Sequence, residues 1–245
     1  MPNALVTGGS AGLGLAISLD LAGAGYSVTI DGRRPEPLRA AATQLRAALP
    51  PGAAAQIQAV AGDVRDAAHR TELVRRAADL GPIDTVINNA SELGGSPPPR
   101  LRDLEPAVGQ RLWQVNVEAP VQLIRTALPF LAERAAIITV SSDAAVEHYQ
   151  GWGGYGATKA ALDHHLLTFA VEEPQFTWYA VDPGDLRTAM HQAAFPGEDI
   201  SDRPEPATVS PVIVGLIRSG LGSGRYRAAE LRQRGVGTSP RRVPA

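Results

Sequence analysis

Short apolar runs alternate with helical patterns along most of this chain, and that alternation constrains the fold more than any other feature. The run from Asn3 to Thr7 precedes Leu13, Ile17, Leu21 and Ala24, which recur near helical spacing until Gly25. Strand-like runs follow at Tyr26–Ile30, Gln56–Ala61, Ile83–Ile87, Ala135–Val140 and Thr177–Val181. Helical patterns separate them at Pro37–Leu49, Asp66–Leu80, Glu105–Glu133 and Gly154–Val171, with Val212–Ile217 beyond. In the long segment, Pro106, Pro120 and Pro129 must mark starts, kinks or ends. Strands joined by helices of this length imply right-handed βαβ units and a parallel sheet.

Composition narrows the function classes. The chain has 245 residues, 44% of them apolar, enough for one domain with a sizeable core. Twenty-five acidic against 23 basic residues leave a net charge of −2, which gives no sign of a nucleic-acid or membrane partner. Cysteine is absent, so thiol catalysis and Cys-ligated zinc are excluded, and the five His show no metal-binding spacing. No apolar stretch is long enough to span a membrane, and Met1-Pro2-Asn3 leads straight into an apolar run, unlike a signal peptide. A soluble, cytoplasmic protein is the simplest expectation. We expect one domain over residues 1–228, with a substrate loop or lid at about 185–210. Residues 229–245 are expected to be a flexible tail, since Arg225–Arg242 holds six Arg among Gly, Ser and Pro. A nucleic-acid arm is the alternative there, disfavoured by the balanced charge.

Of the 23 basic residues, 22 are Arg; Lys159 is the single Lys. Arg and Lys are not interchangeable where a compact ammonium is needed. Lys159 closes the sequence Tyr155-Gly156-Ala157-Thr158-Lys159, and positions i and i+4 share one helical face. Phenol and ammonium can therefore face one cleft, where a nearby cation lowers a phenol's pKa. Ser141-Ser142 ends a strand thirteen residues before Tyr155. Near the N-terminus, Thr7-Gly8-Gly9-Ser10-Ala11-Gly12-Leu13-Gly14 links the first strand to the first helix, as a turn that receives a pyrophosphate does.

With Asn88-Asn89-Ala90, Asn116 and Pro183-Gly184-Asp185-Leu186-Arg187-Thr188, these motifs occur in an order that resembles the classical short-chain dehydrogenase/reductase family. The resemblance spans Ala4 to about Thr188. It implies a three-layer, doubly wound α/β (Rossmann) fold with a mostly parallel sheet of about seven strands. It implies a dinucleotide held by Gly8, Ser10, Gly12, Leu13 and Gly14, by Asp63 and Val64 near adenine, by Asn89 and Ala90, by Tyr155 and Lys159, and by Pro183, Gly184 and Thr188 at the nicotinamide. Arg33, with Arg34 beside it, stands where the family selects NADP, whereas Gly32 occupies the place of the acidic NAD selector. A one-residue slip would make Asp31 a ribose acceptor, so NAD stays open. Catalysis would fall to Asn116, Ser142, Tyr155 and Lys159. Tyr155 would act as general acid/base, Ser142 would steady the substrate oxygen, and Lys159 would lower the Tyr155 pKa and pass protons towards Asn116. Ser141 competes with Ser142 for its place, and Ser91 replaces the family's glycine after Ala90. Implied partners are a small carbonyl or alcohol substrate and a second copy of the chain, as a homodimer or homotetramer. His148, Tyr149, Trp152, Met190, His191 and Phe195 are the candidates to line the substrate pocket. The alternative reading is a catalytically silent NADP sensor.

Overall fold

A computed structural model describes residues 1–237. Seven parallel strands form one sheet in the order β3-β2-β1-β4-β5-β6-β7. They are β1 (Asn3–Val6), β2 (Ser27–Gly32), β3 (Ile57–Ala61), β4 (Ile83–Asn88), β5 (Leu131–Val140), β6 (Thr177–Asp182) and β7 (Gly224–Arg227). The helices are α1 (Gly12–Gly23), α2 (Pro35–Ala48), α3 (Ala67–Ala78), α4 (Pro106–Trp113), α5 (Ala119–Ala127), α6 (Gly153–Glu172), α7 (Ala189–Ala194), α8 (Ser210–Leu216) and α9 (Ala228–Gln233). The fold is the three-layer doubly wound α/β arrangement.

The central strands are apolar at nearly every position because both faces are covered. In β1, Ala4 and Val6 belong to the apolar core on the face covered by α1, α2, α8 and α9, whereas Leu5 belongs to the core on the face covered by α3, α5 and α6. All three are fully buried, and each Leu or Val placed there stabilises the fold by roughly 1.5–3 kcal/mol. The strand order reverses between β1 and β4. In such sheets the crevice opens beyond the carboxyl ends of the strands at that point.

Three stretches depart from the sequence reading. The helix expected over Glu105–Glu133 is three pieces: α4, a π-helical turn at Gln114–Glu118, and α5, which ends at Ala127. Pro106 sits in the first turn of α4, where a missing N–H costs nothing, whereas Pro120 and Pro129 fall where one helical piece passes into the next. The fifth strand accordingly begins at Leu131, not Ala135. The solvated tail expected from Arg225 gives way to β7 and α9, because Leu231 is fully buried in the core. The flexible segment expected over 229–245 thus starts inside a packed helix; its last residues, 238–245, lie outside the described residues. His164 and His165 are both exposed on α6.

Candidate active site

The glycine turn follows β1 and enters α1. Gly8 (φ 66°) and Gly12 (φ 54°) occupy left-handed backbone that other residues avoid. A Cβ on Gly14 would lie 2.3 Å from the Gly8 carbonyl oxygen and 2.4 Å from Asn89 Nδ2. Asn89 staples this turn to the end of β4: its Nδ2 donates to the carbonyls of Thr7 (3.0 Å) and Gly8 (3.3 Å). The first turn of α1 carries no side-chain cap and no acidic residue, so its N–H groups are left for an anion. Across the cleft a Cβ on Gly12 would meet Thr188 at 3.6 Å. A single cleft of about 900 Å³ runs from Arg33 and Arg34 past this turn to Tyr155 and on to Phe195.

The residues at the end of β2 divide cleanly. Asp31 is buried; its Oδ1 accepts from Gly8 N–H (2.6 Å) and its Oδ2 is 3.0 Å from His69 Nε2. It is spent beneath the glycine turn and is not free to receive a ribose. Arg33 and Arg34 are exposed on the cleft wall, and among the described residues neither forms an ion pair. This donor set fits the 2′-phosphate of NADP and lacks the free acid that NAD would use. Gly62 also fits: its missing Cβ leaves room for His69, whose Nδ1 would otherwise lie 2.1 Å away. Asp63 is held by Arg65 in a two-pronged contact, which lowers its pKa. Arg70 secures the Val64 carbonyl at 2.6 Å.

On the opposite wall, Ser142, Tyr155 and Lys159 meet the same cleft. Tyr155 and Lys159 lie one turn apart on α6, both buried, with Nζ 5.6 Å from the phenol ring centroid. Lys159 Nζ donates to the Val140 carbonyl (2.8 Å), which leaves two ammonium protons uncommitted. Burial lowers its pKa to about 8, opposed by Asp163 one turn further along. For Tyr155 the expected lowering is not what the protein alone produces. Burial drives the phenol well above its ordinary value; hydrogen bonds to Ser91 and Ser142 pull it back only in part. The phenol is therefore held protonated. Ser142 is the residue that reaches this point, since the hydroxyl of Ser141 turns away to Asp163 Oδ2 (2.7 Å). Ser142 Oγ accepts from Ala144 N–H (3.2 Å) and donates to Asp143 Oδ1 (3.0 Å).

Asn116 lies in the π turn, a break in regular helix that suits a poor helix former. Its Oδ1 accepts from Ser91 Oγ (3.1 Å) and Glu92 N–H (2.8 Å), and its Nδ2 donates to the Glu92 carbonyl (2.9 Å) and Thr158 Oγ1 (3.0 Å). All four hydrogen-bonding positions of the amide are filled. Any link from Asn116 to Lys159 therefore falls to its main chain. Beyond β6, Asp182 Oδ1 accepts from Gly184 N–H (2.9 Å), and Thr188 caps α7 through His191 N–H (3.1 Å). Pro183, Gly184 and Thr188 line the cleft together with Ser10, Leu13 and Ala90. Of the six expected substrate-side residues, Tyr149, Trp152, Met190, His191 and Phe195 line it; His148 is exposed away from it.

One participant escaped sequence reading. Arg225, on β7, donates through Nε to Asp163 Oδ2 (3.0 Å) and through Nη2 to the carbonyl of Ser142 (2.8 Å), with Asp182 3.9 Å away. Burial raises the pKa of Asp163, and Ser141 and Arg225 draw it down. Arg225 sat within a run of arginines that read as solvated, 62 residues from Asp163 and 83 from Ser142. Its only local signal was the strand-like tetrad Gly224-Arg225-Tyr226-Arg227.

Comparison with known proteins agrees with this geometry. The family model described as short chain dehydrogenase matches residues 2–199. An uncharacterized oxidoreductase of Escherichia coli K12, YciK, is 31% identical over 219 residues, covering 87% of this chain and 84% of its own length. A short chain dehydrogenase of Shigella flexneri 2a, solved with NADP, superposes with a TM-score of 0.85 at 28% identity, over 93% of this chain and 97% of that one. Another from E. coli CFT073, solved with NADPH, gives 0.83 at 29% identity, over 93% and 96%. With glycine turn, paired Tyr and Lys, and strand-end Ser gathered on one parallel-sheet crevice, the chain belongs to the short-chain dehydrogenase family of oxidoreductases.

Proposed function

We propose that the protein is an NADP-dependent oxidoreductase that interconverts a carbonyl and an alcohol on a small organic substrate, with Tyr155 as general acid/base. The observation that carries this reading is the convergence of Ser142, Tyr155 and Lys159 on the cleft wall facing the glycine turn. NADP-bound relatives of the same fold support the choice of cofactor. Gly8, Ser10, Gly12, Leu13 and Gly14 hold the pyrophosphate, Arg33 and Arg34 the 2′-phosphate, and Asp63 and Val64 the adenine side. Asn89 and Ala90 flank the ribose, and Pro183, Gly184 and Thr188 the nicotinamide. When bound, reduced NADP supplies the hydride; the protein positions and polarises.

In the reducing direction Tyr155 donates its phenolic proton to the substrate oxygen. The raised phenol pKa keeps that proton in place until the oxygen gains negative charge. Ser142 turns its hydroxyl from Asp143 to the same oxygen and steadies that charge. Lys159, charged below about pH 8, faces the phenolate left behind. Asn116 holds the Ser91–Glu92 loop against α6, and Arg225 fixes the Ser142 carbonyl. A pure cofactor sensor has no need of this assembly. Residues 185–210, with α7, form the lid over the substrate. Exposed Trp113 on α4, Phe130 in the turn after α5, and Leu167 and Val171 on α6 support a homodimer or homotetramer. Among the described residues no helix is long and apolar enough to cross a membrane, consistent with a cytoplasmic site of action.

Tyr155→Phe tests the reading. NADPH binding, followed by fluorescence titration, stays within about twofold. Ketone-dependent NADPH oxidation falls by roughly 10²–10⁴-fold. A variant that turns over at the wild-type rate removes Tyr155 from the chemistry.

A further inference from the structure

The half of the cleft beyond Tyr155 carries a pattern that reaches past the reaction to the substrate. Trp152 meets Tyr155 edge-on, with ring centroids 5.6 Å apart at 76°. Trp152 in turn lies 6.0 Å from Phe195, and Phe195 lies 5.0 Å from His191. Four rings thus form one continuous wall that starts at the proton donor. Leu93, Ala144 and Ala194 complete its apolar backing. Such a wall favours flat, apolar partners, which can lie against ring faces or edges.

Two further observations add to it. His191 Nε2 is buried and has no hydrogen-bond partner among the described residues, and His191 lines the cleft. Buried polar atoms of this kind are normally satisfied. His191 Nδ1 has only Asp185, at 3.8 Å. Acids also gather at this end. Tyr149 donates to Asp143 Oδ2 (3.0 Å), and the nearby acids Asp143, Glu147 and Asp185 all raise its pKa. Arg203 approaches Asp185 at 3.8 Å. Neither Asp143 nor Glu147 forms an ion pair among the described residues. The basic residues that line the cleft are Arg33 and Arg34 at its far end, and Lys159 behind Tyr155.

We infer that the substrate is an uncharged or cationic ketone whose carbonyl is borne on or beside a flat ring, with a polar ring substituent that hydrogen-bonds to His191 Nε2. Ketones that carry a carboxylate or phosphate are rejected by the acids at the mouth. The inference rests on the carbonyl-reductase reading above. The reaction is unchanged: the carbonyl carbon gains hydride from reduced NADP, the oxygen gains the Tyr155 proton, and NADP leaves oxidised.

The test follows NADPH oxidation by the full chain with 1-tetralone, 5-hydroxy-1-tetralone, 2-octanone, 4-acetylbenzoate and 4-acetylphenyltrimethylammonium. Expected kcat/KM is roughly tenfold or more higher for 1-tetralone than for 2-octanone, on the scale of one aromatic contact with its apolar burial. The trimethylammonium ketone exceeds the benzoate by a similar factor, and Asp185→Asn with Glu147→Gln narrows that ratio. The hydroxyl group improves tetralone several-fold, a gain that His191→Phe removes while the ring wall stays. Trp152→Ala raises KM for 1-tetralone more than for 2-octanone. Calorimetric titration of 1-tetralone into the NADP-saturated protein shows the same Trp152 dependence without turnover. Equal rates for ring and chain ketones, or preference for the benzoate, overturn the inference while leaving carbonyl reduction intact. If NADPH binds and none of the five ketones is reduced, or if Tyr155→Phe keeps full activity, the reading beneath it fails as well.

Discussion

On the β1–β2–β3 side the cleft is lined by main chain, glycine and two guanidinium groups that form no ion pair among the described residues. On the β5–β6 side it is lined by side chains from separate elements: Ser142 after β5, Trp152 before α6, Tyr155 on α6, His191 on α7 and Phe195 after it. The first side is locked by sterics, since Gly14 and Gly8 tolerate no Cβ against Asn89. The second side is held by side-chain hydrogen bonds and ring contacts, which substitution can retune without collapse. A common cofactor needs the first plan; a particular substrate needs the second. Variants on the two sides should therefore fail differently.

The largest contrast is expected at Gly14→Ala. Its methyl would press on the Gly8 carbonyl at 2.3 Å, an overpacking that typically costs about 1–3 kcal/mol. Thermal denaturation should show a loss of several degrees, and calorimetric titration a rise in the NADPH Kd of more than about a hundredfold. A Gly14→Ala protein with normal Tm and normal NADPH affinity would break the steric half of the comparison.

Next come the two residues at the end of β2. On the proposed 2′-phosphate contact, Arg33→Ala removes a charge-assisted bond worth about 1.5–3 kcal/mol, so KM for NADPH should rise roughly 10- to 100-fold with NADH nearly unchanged. Asp31→Asn instead weakens the support beneath Gly8 and should penalise NADPH and NADH alike. Steady-state kinetics with both cofactors separates the two; equal losses in Arg33→Ala would remove the 2′-phosphate assignment.

The pH dependence sharpens the other side. Lys159 titrates at about 8, below its ordinary value because it is buried. Its ammonium is present at neutral pH and is lost as pH rises through 8, so reductive kcat/KM should fall there. Asp163 pulls that value upward. Asp163→Asn therefore shifts the fall to lower pH, and a profile unchanged in this variant would disconnect Asp163 from the ammonium. The smallest effect is expected at Tyr149→Phe. Tyr149 is half-exposed and donates one bond to Asp143, so kcat/KM with a neutral ketone should change less than about threefold.

The same division explains what sequence could tell. Thr7–Gly14 and Tyr155–Lys159 are local patterns in which spacing alone fixes the geometry, and the structure builds them as read. Asp31 and His69 are 38 residues apart, and only the register of β2 against β3 and the packing of α3 bring them together. Together with Gly8 N–H, that contact engages both carboxylate oxygens of Asp31. The three prolines of the 106–129 segment pointed to breaks but could not say that a π turn would centre on Asn116. Arg225 was the largest omission. Arginine in an Arg-rich stretch looks like solvated charge until β6 and β7 pair and aim it at Asp163.

That late strand has a consequence for synthesis. Glycine turn, serine, tyrosine and lysine all leave the ribosome well before residue 225. N-terminal regions begin to order during translation, so a growing polypeptide can assemble its nucleotide-shaped crevice early. Until residue 225 emerges, its serine carbonyl lacks the Arg225 guanidinium, and the aspartate behind the lysine has only the Ser141 hydroxyl and the neighbouring ammonium. A chain cut before residue 225 would keep the glycine turn, the serine, the tyrosine and the lysine but lack the guanidinium that braces the serine carbonyl.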